Sequence, residues 1–236
     1  MRSSSWHAHG NVYLLAEDAD LTPETVRAAA AGTDGIVEVL RAGEGELDVV
    51  IWNPDGSTAE LSGNGTRIAA AWLAERTGAR EIHVRVRGGR DVTARVLDDG
   101  QLETDMGEVE VGEPETVDGI EFVAVSVGNP HAVVHGDPDE IARIGPLLET
   151  HARFPNRTNV QVVRVDGPGE VSGRIWERGV GETTASGTSA VAVAAATHGE
   201  GEVLVHFPGG DLRVRLANGC AWLTGPAERV DEESQN

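Results

Sequence analysis

Ser62-Gly63-Asn64-Gly65-Thr66-Arg67-Ile68-Ala69-Ala70-Ala71-Trp72-Leu73-Ala74-Glu75-Arg76 and Ser186-Gly187-Thr188-Ser189-Ala190-Val191-Ala192-Val193-Ala194-Ala195-Ala196 share one pattern. Each begins with Ser-Gly, continues as an alanine-rich body and stops near a glycine, Gly78 or Gly199. Serine is favoured at a helix N-cap and glycine just past the last turn, so both stretches predict helices. The second is apolar all round, which suits a helix enclosed by a sheet. Together they read as an internal repeat: two halves, each a sheet wrapped around one central helix.

The rest of the chain supplies the sheets. Leu47-Asp48-Val49-Val50-Ile51, His83-Val84-Arg85-Val86, Val92-Thr93-Ala94-Arg95-Val96, Val203-Leu204-Val205-His206-Phe207 and Leu212-Arg213-Val214-Arg215-Leu216 alternate with period two, as half-buried strands do. Turn clusters such as Asn53-Pro54-Asp55-Gly56 and Asp98-Asp99-Gly100 separate them. Two shorter helices are expected at Leu21-Thr22-Pro23-Glu24 and Asp137-Pro138-Asp139-Glu140, each with a capping side chain before proline. The fold class is α+β: two pseudo-symmetric domains, each a mainly antiparallel sheet around a central helix. The boundary is expected at the acidic Gly112-Glu113-Pro114-Glu115. That gives an N-terminal half over 1–113, completed by a C-terminal strand near 220–230, and a C-terminal half over 114–236.

Composition removes several function classes. A formal net charge of -20 and no basic stripe make nucleic acid an unsuitable partner. No apolar run is long enough to span a bilayer, and no apolar stretch follows the N-terminus as in a secretory signal, so a cytoplasmic protein is expected. All 19 basic residues are arginine; without lysine no Schiff base can form, which excludes covalently held pyridoxal phosphate. The single cysteine, Cys220, has no intramolecular disulfide partner and reads as an inert thiol. His-Glu-x-x-His and Gly-x-Ser-x-Gly motifs do not occur.

Three polar, glycine-rich segments remain. They are Asn53-Pro54-Asp55-Gly56-Ser57 with Glu60-Leu61-Ser62-Gly63-Asn64-Gly65-Thr66-Arg67, then Gly128-Asn129-Pro130-His131, then Glu177-Arg178-Gly179-Val180-Gly181-Glu182-Thr183 with Ser186-Gly187-Thr188. Helix N-termini present unpaired N–H groups that suit a carboxylate. Two such termini can hold an amino acid with Ser62 and Ser186 at opposite faces of its α-carbon. Read singly, Asn53 and Asn129 are turn residues, His131 a packing histidine, and Arg67 and Glu182 a surface pair.

In their order these segments resemble the signatures of the diaminopimelate epimerase family. His9-Gly10-Asn11, Gly32-Thr33-Asp34-Gly35, Phe154-Pro155-Asn156-Arg157-Thr158-Asn159-Val160, Phe207-Pro208-Gly209-Gly210 and Leu223-Thr224-Gly225-Pro226-Ala227 extend the likeness along most of the chain. The resemblance implies an isomerase of lysine biosynthesis that uses no cofactor and no metal, has a substrate cleft between two domains, and forms a homodimer. It interconverts LL- and meso-diaminopimelate, a small-molecule amino acid, by proton transfer at both faces of the α-carbon. By position it makes Ser62 and Ser186 the acid/base pair, with His131 and Glu177 beside them. Asn11, Asn53, Gly63, Asn64, Asn129, Asn159, Arg178, Gly187 and Thr188 match the substrate-binding set.

The family uses cysteine where Ser62 and Ser186 stand. A thiol ordinarily titrates at about 8.5 and is readily brought to thiolate, whereas a serine hydroxyl needs an adjacent base. Three readings follow: an epimerase whose serines are assisted by His131 and Glu177; a related isomerase, hydroxyproline epimerase or dehydratase with one competent base; or an inactive ligand-binding relative, including a form disarmed by Cys-to-Ser replacement.

Overall fold

The computed structural model describes residues 2–9, 11–59 and 62–230. Gly10 of the His9-Gly10-Asn11 motif, and Glu60-Leu61 ahead of Ser62, lie outside the described residues. The chain divides into two units, residues 1–105 with 224–236, and residues 106–223.

The first unit begins with β1 (Arg2–Ala8) and β2 (Asn11–Glu17), then α1 (Pro23–Ala29), β3 (Gly35–Ala42) and β4 (Glu46–Trp52). It continues through α2 (Gly63–Thr77), β5 (Glu81–Val86), β6 (Val92–Val96) and β7 (Leu102–Glu108), whose C-terminal end passes into the second unit. Thr22 caps α1 through a capping box with Thr25, with Pro23 in its first turn. Ser62 caps α2, and Gly78 ends it in the left-handed region at φ 72°, where a side chain would be strained.

The second unit follows with β8 (Glu110–Val117), β9 (Ile120–Ser126), β10 (Pro130–His135), α3 (Ile141–Glu149), β11 (Asn159–Gly167) and β12 (Glu170–Glu177). Then come β13 (Gly181–Thr183), α4 (Gly187–Thr197), β14 (Gly201–Phe207), β15 (Gly210–Ala217) and β16 (Cys220–Gly225). A short β17 (Glu228–Arg229) returns to the first unit and pairs with β1. The acidic Gly112-Glu113-Pro114-Glu115 stretch, where the sequence reading puts the boundary, lies in strand β8, paired antiparallel with β9. The register shift between Val111 and Pro114 takes up Gly112 and Glu113, a bulge of the kind that admits proline into a strand.

The repeat is visible in the order of pairings. In the first unit β1–β2 is antiparallel, β2–β3 parallel, β3–β4 antiparallel, β4–β5 parallel and β5–β6 antiparallel. In the second, β9–β10, β10–β11, β11–β12, β12–β14 and β14–β15 run through the same succession. Each of the four α-helices among the described residues lies on the crossover between two parallel strands. The sequence pattern led to an expectation of mainly local antiparallel pairs. The parallel ones escape it because their partners are separated by a whole helix.

Both central helices are enclosed. Every residue from Gly63 to Leu73 is buried in α2, and every residue from Gly187 to Ala195 in α4. Around α2, Ile68, Trp72 and Leu73 pack against Leu15, Val37, Leu47, Val49, Ile51, Ile82 and Val84 from the alternating strands. Full burial of such side chains stabilises by about 1.5–3 kcal/mol each. Gly, Ala and Val make up most of α4, so its surrounding strands can come close from all sides.

Candidate active site

In the first unit the site is built on the start of α2. Ser62 is extended at φ -136° and ψ 113°, and its Oγ accepts from the Gly65 N–H at 3.0 Å. The Tyr13 hydroxyl lies 3.2 Å from the same Oγ. Gly63 and Asn64 form the first turn of the helix. Asn64 Oδ1 accepts from Arg67 Nη2 at 2.7 Å, and Arg67 Nε donates to the Pro226 carbonyl at 3.3 Å. Asn11 opens β2. Asn53 follows β4, and its Nδ2 donates to Ser57 Oγ at 2.9 Å, so its amide serves its own turn.

Arg67 corrects the surface-pair expectation. It is fully buried, and Glu182 pairs with Arg174 at 2.6 Å instead. Among the described residues no carboxylate bonds Arg67, and Nη1 finds no hydrogen-bond partner. Burial pushes its guanidinium down to about 10, with the Tyr13 phenol acting in the opposite direction.

In the second unit Ser186 takes the matching place before α4. It is extended, at φ -150° and ψ 128°, and buried, but its side chain makes no cap bond. Gly187 and Thr188 form the first turn. Asn129 Nδ2 donates to Thr188 Oγ1 at 3.4 Å, and Asn129 Oδ1 lies 2.9 Å from His131 Nε2. Gln161 Nε2 lies 3.1 Å from His131 Nδ1 and donates to Ser189 Oγ at 2.9 Å. Asn159 Nδ2 donates to the Pro130 carbonyl, and its Oδ1 accepts from the Arg178 N–H at 3.0 Å. Glu177, at the end of β12, accepts from Thr183 Oγ1 at 2.6 Å.

These bonds give His131 a different character from a free base. Both ring nitrogens are engaged, by Asn129 and Gln161, and the side chain is 1% exposed. Burial first of all, with the Arg178 charge acting in the same direction, holds the imidazole down at about 3. With the amides oriented as placed, Gln161 donates to Nδ1, so Nε2 carries the proton and donates to Asn129. A neutral ring bonded on both sides holds Asn129 in place beside Thr188.

Four supporting residues escaped the sequence reading: Tyr13, Gln161, Glu149 and Glu38. The Glu149 carboxylate accepts from Trp176 Nε1 and the Gly179 N–H, each at 2.7 Å, which pins the turn carrying Glu177 and Arg178. Burial opposes its ionisation, but these two bonds and Arg157 at 3.3 Å outweigh it and keep the carboxyl below its ordinary range. The first unit has a counterpart in Glu38, which accepts from Trp52 Nε1 at 2.9 Å and the Leu21 N–H at 3.0 Å just ahead of Asn53. The paired tryptophans were the available signal, since each directly precedes a site residue.

Comparison with known proteins decides the lineage. The family model described as diaminopimelate epimerase matches residues 6–112 and 123–230. The chain belongs to the diaminopimelate epimerase family. A diaminopimelate epimerase of Pelotomaculum thermopropionicum is 34% identical, over 98% of this chain and 97% of that relative. One from Desulforudis audaxviator is 39% identical, over 86% of this chain and 84% of its own length. Among solved structures, a protein described as a predicted epimerase from Pseudomonas aeruginosa is similar with a TM-score of 0.78 at 19% identity, covering 98% of this chain and 97% of that one. A hydroxyproline epimerase from Agrobacterium vitis has a TM-score of 0.65 at 15% identity, covering 97% and 88%. At such identities these two speak for the fold that the epimerase family shares. No helix among the described residues is long and apolar enough to cross a membrane.

Proposed function

We propose that this chain interconverts LL- and meso-diaminopimelate, with Ser62 and Ser186 transferring protons at opposite faces of the α-carbon. The observation that carries the reading is the pairing of Ser62 and Ser186 as N-caps of the central helices of two repeats, in a chain at least 34% identical to named diaminopimelate epimerases. Asn11, Asn53, Gly63, Asn64, Asn129, Asn159, Arg178, Gly187 and Thr188 form the proposed substrate-binding set. The Arg178 guanidinium suits the distal carboxylate. His131 orients Asn129, and Glu177 is left as the carboxylate to assist Ser186. No lysine is present to hold an aldehyde cofactor, which supports chemistry by side chains alone. A cytoplasmic homodimer in lysine biosynthesis completes the proposal; its mass in solution tests the dimer. The central test is α-proton exchange of LL- and meso-diaminopimelate in heavy water. Incorporation of deuterium with conversion between the epimers is expected, and no exchange at high enzyme concentration overturns the reading.

One observation favours a second reading. Ser186 lacks a cap bond and His131 is neutral with both nitrogens occupied, so the second unit is the weaker base. An isomerase or dehydratase that removes a proton from one side only needs a single competent group. A screen of amino and unsaturated dicarboxylic acids separates the two, since product from a substrate other than diaminopimelate supports it.

A further inference from the structure

Serine at position 62 needs an adjacent base to take its proton. The Tyr13 hydroxyl, 3.2 Å from Ser62 Oγ, is the ionisable side chain bonded to it. We propose that Tyr13 is the proton-relay partner of Ser62: its phenolic oxygen takes the Ser62 proton as Ser62 takes one from the substrate, and returns it in the reverse direction. This rests on the reading of Ser62 as a proton-transfer group.

The arrangement around Ser62 fits that role bond by bond. A hydroxyl offers one donor and two lone pairs. The Gly65 N–H occupies one lone pair at 3.0 Å, and the Tyr13 oxygen at 3.2 Å is placed to receive the O–H in the relay, which among the described residues leaves one lone pair for an incoming proton. The Gly65 bond and the start of α2 both favour negative charge on Oγ. Tyr13 itself is held in place. Its ring lies over Gly35, where a Cβ would come within 2.7 Å of Tyr13 Cε1 and 2.6 Å of the Trp52 carbonyl, so only glycine admits the ring. Tyr13 is 8% exposed, so water competes little for its hydroxyl.

Arg67 supplies the missing charge. Its fully buried guanidinium bonds no carboxylate among the described residues, and it interacts electrostatically with the Tyr13 phenol. In the relay Tyr13 rests as the phenolate, the form that a neighbouring cation favours. Proton abstraction then balances. The α-C–H bond breaks and leaves its electron pair on carbon, and the proton bonds to Ser62 Oγ. The former Ser62 O–H proton passes to the Tyr13 phenolate, so one negative charge moves from phenolate to carbanion. Reprotonation reverses each transfer. Tyr13 also occupies in the first unit the place His131 holds in the second, two residues after an asparagine and on the strand that leads into the first parallel crossover.

The test is a double-mutant cycle of Tyr13→Phe in the Ser62 protein and in Ser62→Cys, reading epimerisation of LL-diaminopimelate. A thiol supplies its own thiolate, so a relay matters only to serine. Tyr13→Phe is expected to lower kcat about 100-fold with Ser62 and unchanged KM, but by less than about threefold in Ser62→Cys. Retained rate in the Ser62→Cys, Tyr13→Phe double variant shows that the fold survives loss of the hydroxyl. An equal loss in both backgrounds makes Tyr13 merely structural and overturns the proposal, as does no loss in either. If the Ser62 parent shows no α-proton exchange, the relay falls together with the reading of Ser62. If the parent is active and Tyr13→Phe is equally active, the relay alone falls.

Discussion

The two units run through the same strand succession yet equip their serines differently. Ser62 accepts from Gly65 N–H and touches the Tyr13 hydroxyl, beside a buried arginine. Ser186 makes no cap bond, and the histidine in its unit is bound up with Asn129 and Gln161. A repeat therefore keeps its backbone while its polar interior diverges. The strand pattern is held by many weak pairings, but a site depends on a few side chains that can change singly.

Restoring thiols gives the largest expected effect. Ser186→Cys should raise kcat/KM for diaminopimelate about 100-fold, and Ser62→Cys only about 10-fold, because the Tyr13 hydroxyl is bonded to Ser62 Oγ whereas the Glu177 carboxylate is bonded by Thr183. The double change should exceed either. Equal gains from the two single changes, measured by the same epimerisation assay, would erase the asymmetry.

Acid stability separates the units next. His131 has a folded value of about 3 against about 6.5 when unfolded. Above about pH 6.5 both states are neutral there and the residue adds no pH dependence. Below it the unfolded chain binds a proton that the folded one does not, so stability falls from pH 6.5 towards 3, by up to about 1.4 kcal/mol per unit. Urea unfolding at pH 7, 6, 5 and 4 should show this slope, and His131→Gln should flatten it.

The tryptophan-binding carboxylates probe the turns. Glu149→Gln should cost about 1–3 kcal/mol, since one buried oxygen that now accepts becomes a donor. It should also slow epimerisation through the Glu177 turn, whereas Glu38→Gln should cost similar stability with a smaller effect on rate. Thermal unfolding and kinetics on both variants check the pair.

The smallest difference is at the caps. Ser62→Ala should destabilise by about 1 kcal/mol through the lost Gly65 bond, and Ser186→Ala by less than about half that. Matching losses by urea unfolding would show that Ser186 caps α4 in solution.

Local features were legible in the sequence, and distant ones were not. Both central helices, their serine caps, the Thr22 and Asp137 caps and the alternating strands depend on neighbours within a few residues. The parallel pairings, the Gln161 bridge and the Tyr13 contact join residues tens of positions apart, where alternation gives a face but not a partner. Arg67 was misread for a related reason. A charged residue in a helical pattern defaults to solvent, and only tertiary packing sets it among Ile68, Trp72 and the strands.

That arginine has one more consequence. Many charges of this strongly acidic chain sit at the surface, some in pairs such as Arg41 with Asp48 and Arg153 with Glu115, whose fields dissolved ions weaken within about 10 Å. Ions cannot enter around Arg67. Its field on the start of α2 is a fixed background, nearly the same in dilute buffer and in concentrated brine, while the electrostatics of the surface change with every shift in ionic strength.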